Sequence, residues 1–400
     1  TARRLRKLKA AVAGALARPA RMRVRSLCSI CGQIQSMQLA YGIKCRIRSR
    51  YLLLAVRLAL ADSPDYDAFV APGARALEEL ELWGADIDTS ARQPMHVHLR
   101  RPDFIIECDA SDSALAGIVV QAPEGVSVGG QFWRRLGTTE ASWSSCLREM
   151  TGYEFCFATL AETNDLRDAD VEIVGDHRAA AFIFANGGSQ CVDKDTGALL
   201  ITDAMLRILH RSESLQCRVS FRWVRRCYVQ DADDLSKFVD TMDFSLRPEL
   251  LARVRAALGH WDIDRFAAGH NTTALRFNAL FGCVGSEGTD ALRQAWGVGV
   301  SFALPSFHVI DEILDIVERD NATVILIVPA WASRPWWTRL WSAAWSSRRT
   351  ACLELPVDGL VANSADAFFL RDGGRGFMRP LWAVRLDARP ERGDADNGIH

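Results

Sequence analysis

Four carboxylates sit in four different local settings of this 400-residue chain. Asp109 ends the apolar run Phe104-Ile105-Ile106-Glu107-Cys108, and Asp176 ends a second apolar run, Val171 to Gly175. Glu149 lies inside a helical stretch from Trp143 to Leu160, and Asp233 opens another, Ala232-Asp233-Asp234-Leu235-Ser236-Lys237. Carboxylates converging from such positions can hold two divalent metal ions, and two ions can promote hydrolysis of a phosphodiester. The chain has 49 acidic residues, so placement matters more than residue type. Cys146, Met150, Tyr153 and Phe157 recur at helical spacing and mark a buried face, which Glu149 shares. A carboxylate turned into a protein needs a partner, and a metal is an economical one. Gly175 is expected to permit a tight turn before Asp176. Taken singly, each acid also fits a helix cap, a turn former or a surface charge. The order strand, helix, strand, helix argues against coincidence.

The elements that must position these groups follow from the hydrophobic pattern. Strands are expected at 103–109, 115–121, 130–135, 171–175 and 217–224, with helices at 144–162, 177–185, 198–213 and 231–240. Three successive strands followed by alternating helices and strands describe an α/β fold, a mixed five-stranded sheet with helices packed on it. Residues 1–95 read as helical, with Leu27, Ile30, Ile34 and Met37 at helical spacing. Residues 241–400 form a third region, with strands at 298–304 and 323–329 around a helix at 306–319. The expected domains are therefore 1–95, 96–240 and 241–400.

Charge is unevenly spread. The net value is −1, yet fourteen Lys and Arg lie between Arg3 and Arg57 and no acid precedes Asp62. An acid-free basic segment reads as a polyanion-binding surface rather than a solvated helix face. The candidate contacts are Arg3, Arg4, Arg6, Lys7, Lys9, Lys44, Arg46 and Arg48. Eleven scattered cysteines suit a reducing compartment, in the cytoplasm or nucleus. The Arg-rich start leaves a mitochondrial transit peptide as a lesser alternative. Cys28 and Cys31 lack a second ligand pair for zinc and read as helix-face residues. Tyr51 to Ala61 is interrupted by Arg57 and too short to cross a bilayer, so no membrane partner is expected.

The motifs around the four acids resemble the ribonuclease H domain of reverse-transcribing elements. Cys108-Asp109-Ala110-Ser111 is similar to the Asp-Ala-Ser of its first strand. Ser144-Ser145-Cys146-Leu147-Arg148-Glu149-Met150 resembles its Ser-Ser-x-x-Arg-Glu-Leu helix, and Gly175-Asp176-His177-Arg178-Ala179-Ala180 its Thr-Asp-Asn-x-Ala-Ala. Trp223-Val224-Arg225-Arg226, followed by Ala232-Asp233-Asp234-Leu235-Ser236-Lys237, resembles Trp-Val-Pro-Arg with Ala-Asp-x-Leu-Ser-Arg. The resemblance implies a ribonuclease H-like fold and an endoribonuclease acting on the RNA strand of RNA–DNA hybrids. It also implies Asp109, Glu149, Asp176 and Asp233 as catalytic metal ligands for two Mg²⁺ ions, with Mn²⁺ a possible substitute. His177 and Arg225 depart from the usual Asn and Pro.

Outside these motifs, residues 1–95 resemble a reverse-transcriptase thumb and connection, including Glu78-Glu79-Leu80-Glu81-Leu82-Trp83. The nearest type is the tyrosine-recombinase, DIRS-like retrotransposon, which implies a piece of a longer polyprotein. No Tyr-x-Asp-Asp polymerase motif occurs. Residues 300–306 and 324–331 resemble a phage-type adenine methyltransferase, but Ala303 and Leu304 stand where that family needs a polar side chain. This region is read as a non-catalytic α/β remnant. Two other functions compete. A transposase or integrase on the same sheet would place the helical Glu last, whereas Glu149 comes second. A catalytically decayed nucleic-acid-binding fragment differs only in metal binding and activity.

Overall fold

The alternation of Phe104, Ile106 and Cys108 with less buried neighbours builds β1 (Phe104–Ala110), the central strand of a five-stranded sheet. This computed structural model describes residues 2–19, 21–89, 101–126, 128–238, 244–363 and 380–389. Strand β2 (Ala114–Gln121) pairs antiparallel with β1 and sets Ala116 opposite Asp109. Its neighbour on the outer side is β3 (Gln131–Arg135). On the other side β4 (Asp170–Gly175) runs parallel to β1, and β5 (Arg218–Trp223) parallel to β4. The order β3-β2-β1-β4-β5 is a mixed, ribonuclease H-like sheet, and each expected strand is present within about a residue of its expected ends.

Contacts divide the chain into two compact units, Thr1–Gln131 with Arg135–Lys237, and Phe132–Arg134 with Phe238–His400. The boundaries expected near residues 95 and 240 lie outside the described residues. In the first unit, α1 (Ala2–Leu16), α2 (Val24–Gln35), α3 (Arg50–Asp62) and α4 (Ala74–Thr89) share a core of Leu8, Val12, Leu27, Ile34, Leu52, Leu80 and Trp83. Glu79 of α4 is buried in this core. Its two oxygens accept the Tyr51 and Leu52 backbone N–H groups at 3.0 and 2.9 Å, supplying partners to the open end of α3. Burial nonetheless pushes the Glu79 carboxyl up to about 7.

The longer helices that follow in this unit are α5 (Ser145–Thr163), α6 (Arg178–Ala185), α7 (Leu200–Ser214) and α8 (Gln230–Ser236). Ser144 caps α5 by accepting the Leu147 N–H at 3.3 Å. Tyr51 Oη on α3 donates to Asp203 on α7 at 2.9 Å, and Arg75 on α4 also pairs with Asp203. Helix α8 is shorter than its expected 231–240, ending at Ser236.

The second unit holds more structure than its sequence announces. The hydrophobic pattern points to three elements there, and all three are present: β9 (Val300–Ala303), α10 (Ile310–Arg319) and β10 (Thr323–Pro329). The two strands belong to a sheet that also contains β6 (Ile263–Asp264), β7 (Arg276–Ala279), β8 (Gly288–Thr289), β11 (Arg349–Leu355) and β12 (Leu381–Leu386). A further helix, α9 (Pro248–Leu258), precedes this sheet in the chain. The strand order is β8-β7-β6-β9-β10-β12-β11, parallel from β8 to β10. Strand β12 runs antiparallel to both β10 and β11. Order reverses between β6 and β9, a topological switch point. Strands of two residues such as β6 and β8 leave no periodic signal, so a pattern of hydrophobicity does not reveal them. The tryptophans serve packing here, with Trp261, Trp296, Trp336 and Trp345 buried.

Candidate metal centre

Strand β1 delivers Asp109, α5 delivers Glu149, and the residue after β4 is Asp176. Each offers a carboxylate oxygen, and these three atoms all lie within 4.8 Å of one another. Asp109 and Glu149 are buried, with only 4% and 5% of their surface exposed, while Asp176 is half-buried. Three elements far apart in sequence thus bring three negative charges to one end of the sheet.

Packing explains how they meet. Tyr153, four residues after Glu149, lies against Gly175, and a side chain at Gly175 would collide with its ring and hydroxyl. The glycine is therefore needed for this close approach of α5. Its φ is not positive, so the expected turn is not the reason. Trp223 Nε1 at the end of β5 donates to the Asp176 carbonyl at 2.8 Å and anchors the backbone that carries this acid. Ser111 Oγ donates to the Ser236 carbonyl at 2.7 Å, tying the β1–β2 turn to α8. Ser236 Oγ in turn donates to Asp109 Oδ2 at 2.6 Å.

Electrostatics mark the cluster as strained without a counter-charge. Burial, then the neighbouring Asp109 and Asp176 charges, push the Glu149 carboxyl well above its usual range, and the Ala110 N–H only partly offsets this. Asp109 is also raised, by burial first, with the Ser236 hydroxyl opposing and Asp176 and Asp233 adding. Glu149 Oε2 has no hydrogen-bond partner among the described residues although it is buried. A buried carboxylate oxygen left bare is costly, and a cation would satisfy it. The donor set is all oxygen and anionic, which suits Mg²⁺ or Mn²⁺ rather than a softer metal. The residues present therefore fit a divalent ion.

Asp233 is placed differently. It is buried on α8 and points inward, whereas Asp234 is exposed. It does not join the 4.8 Å group. Its Oδ1 accepts from Arg226 and its Oδ2 from Lys237, with Gln230 Nε2 at 3.3 Å from Oδ2. Burial opposes its ionisation, but Arg226 and Lys237 outweigh it and hold the carboxyl below its usual value. Sequence reasoning assigns no role to Ser236, Arg226 or Lys237. The signal available is spacing, since Ser236 and Lys237 stand three and four residues after Asp233 on one helix face.

The eight basic candidates separate into two groups. Arg3, Arg4, Arg6, Lys7 and Lys9 are exposed along α1. Lys44 pairs with Glu213 at 3.5 Å, and the buried Arg48 pairs with the same carboxylate. Arg46 Nε donates to Gln38 Oε1 at 3.0 Å. These three hold the first unit together internally.

No protein-family model matches the chain, and no curated protein matches its sequence. Among solved structures it is similar to the foamy viral protease-reverse transcriptase dRH in complex with double-stranded DNA. The identity is 11%, over 51% of this chain and 32% of that one, with a TM-score of 0.21. The foamy viral protease-reverse transcriptase in complex with an RNA/DNA hybrid is 9% identical over 59% of this chain and 28% of that one, TM-score 0.22. The native prototype foamy virus protease-reverse transcriptase is 12% identical over 48% and 24%, TM-score 0.21. The chain thus spans a quarter to a third of the length of these proteins. Likeness this slight carries no conclusion about what the chain does.

Proposed function

We propose that this chain is a metal-dependent endoribonuclease that cleaves the RNA strand of RNA–DNA hybrids. The observation that supports it most is the convergence of Asp109, Glu149 and Asp176 within 4.8 Å, with the buried Glu149 Oε2 lacking a partner among the described residues. These residues would hold Mg²⁺, with Mn²⁺ a substitute, and the ion would supply Lewis-acid polarisation of a phosphate. Ser236 orients Asp109 through its hydroxyl, and Trp223 orients Asp176 through its indole N–H to the backbone. Asp233 keeps Arg226 and Lys237 beside the cluster, so that a substrate phosphate meets positive charge there. The Trp223 ring, partly exposed and beneath the Arg178 guanidinium at 6.0 Å, offers a flat cationic rim for a sugar-phosphate chain. Hybrid preference would rest on 2′-hydroxyl contacts and A-like shape. Glu149 coming second among the acids favours this reading over a transposase or integrase.

The sequence motifs extend the proposal. Residues 1–95 would be the thumb and connection of a DIRS-like reverse-transcribing polyprotein, 96–240 its ribonuclease H and 241–400 a non-catalytic α/β region. The α1 cations would add contacts to phosphates. Incubating a labelled RNA–DNA hybrid with the chain, with and without Mg²⁺, tests this directly. Mg²⁺-dependent shortening of the RNA strand alone is expected. An intact hybrid that is still bound, with no Mg²⁺ binding, would point instead to a decayed, nucleic-acid-binding piece.

A further inference from the structure

The neighbourhood of Asp233 differs in kind from that of the other three acids. Around Asp109, Glu149 and Asp176 three carboxylates crowd together, and one buried oxygen is bare among the described residues. Around Asp233 the reverse holds. Both oxygens of this one carboxylate are taken by cations, Arg226 on Oδ1 and Lys237 on Oδ2. The Arg226 charge also acts on Asp109 and Asp176. The Asp109 oxygen Oδ2 is engaged as well, by the Ser236 hydroxyl at 2.6 Å.

A second divalent ion at Asp233 would meet two oxygens that already have cationic partners. It would also lie within reach of the Arg226 and Lys237 charges, both of like sign. A first ion at Asp109, Glu149 and Asp176 meets a bare oxygen at Glu149 instead. We propose that this centre binds a single divalent ion, and that Arg226, held by Asp233, takes the place of the second. The inference rests on the nuclease reading above and changes its stoichiometry. Both cationic side chains reach in from exposed positions, so each presents fixed positive charge to an incoming phosphate. Asp233 is then a positioning residue for Arg226 and not a metal ligand.

The test counts ions in the full chain, without reference to cleavage. Calorimetric titration with Mn²⁺, read beside the electron paramagnetic resonance of the bound ion, is expected to give one ion per chain with no spin coupling. Two ions with a coupled signal would overturn the inference and leave the nuclease reading standing. No bound ion at all would overturn both. Replacing Arg226 and Lys237 together by Gln is expected to raise the count to two, because Asp233 is then released. A count that stays at one would show that these cations do not close the second position. Asp233→Asn covers the case in which the double variant does not fold. It should leave the count at one and weaken Mn²⁺ binding by less than about tenfold, the lower end for residues outside the ligand set. A larger loss would make Asp233 a ligand and sink the proposal.

Discussion

Glu149 in the first unit and Asp264 in the second are both buried carboxylates at a sheet, and they differ in one respect. Asp264 has its hydrogen bonds made. Its Oδ2 accepts the Thr273 backbone N–H at 3.0 Å and the Thr273 hydroxyl at 2.7 Å, and its Oδ1 accepts the Phe266 N–H at 3.4 Å. The crevice beside it, lined by Phe244, Leu246, Phe266 and Phe302, keeps only about 20 Å³. Although Asp264 lies at a topological switch point, where ligands commonly bind, it is internally satisfied and enclosed. Glu149 has a bare oxygen among the described residues and two carboxylates beside it. Burial raises the carboxyl of both. A raised value by itself therefore does not distinguish a site from a structural acid, and the presence or absence of protein partners does.

The largest expected effect follows from the unsatisfied cluster. Asp109→Asn removes an anionic ligand and almost no volume. It should lower Mg²⁺-dependent hybrid cleavage by about a thousandfold or more, since metal stabilisation of the transition state amounts to several kcal/mol. Removing one of three crowded charges should leave stability unchanged or higher. Cleavage that persists in this variant would remove the contrast between the two units, because the cluster would then be no more functional than Asp264.

The next effect is a difference of sign in stability, measured at pH 8 in the presence of a chelator. Glu149→Gln removes a buried carboxyl crowded by two others and should leave the unfolding temperature of the first unit equal or a few degrees higher, corresponding to about 1 kcal/mol. Asp264→Asn puts an amide where two N–H groups and a hydroxyl now donate. It should cost roughly 1–3 kcal/mol and leave cleavage untouched. The two variants shifting stability in the same direction would mean that hydrogen-bond satisfaction is not what separates these acids.

Glu79 belongs between the two cases, with both oxygens on backbone N–H groups but its carboxyl raised from 4.5 to about 7 by burial. Because the folded value lies above the unfolded one, the folded chain keeps a proton that the unfolded chain releases. Its contribution to stability is full below about pH 4.5 and is lost as pH rises through 7, on the order of 3 kcal/mol in all. Glu79→Gln is neutral throughout, so the difference in stability between the two proteins should shift across that window. Parallel pH curves would show that the two N–H bonds fully balance the burial. Asp109 and Glu149 titrate in both proteins and cancel in the difference.

How much of this is legible in the sequence depends on how far apart the partners lie along the chain. The five strands of the first sheet are readable because Phe104, Ile106 and Cys108, or Val171 and Ile173, alternate over short range. The inward direction of Asp233 rather than Asp234 is readable from the motif register and agrees with Ser236 and Lys237 on the same face. Gly175 stands out in the sequence as a turn residue, yet its constraint comes from Tyr153 on another element. Glu79 stands out only within a motif, since nothing local shows that its oxygens meet residues 28 and 27 positions away. The second sheet stays mostly hidden because its strands β6 and β8 are two residues each and owe their conformation to neighbours.

The same dependence separates the basic residues, and it gives the smallest expected effect. Lys44 and Arg48 resemble the α1 cations in composition, but Glu213 lies 165 residues after Arg48 and takes up both charges. Exchanging Arg3, Arg4, Arg6 and Lys7 for Gln should therefore weaken single-strand and hybrid binding without sequence preference. It should also flatten the salt dependence by about 0.7 to 0.9 in slope for each phosphate that is no longer neutralised. Exchanging Lys44 and Arg48 for Gln should leave that slope alone and lower the unfolding temperature instead, since Glu213 loses both partners and the buried Arg48 position its charge. A titration of binding against salt for the two variants decides it. Equal flattening by both would mean that the internal pairs open to phosphate. No flattening by the α1 variant would leave its exposed cations as a solvated helix face.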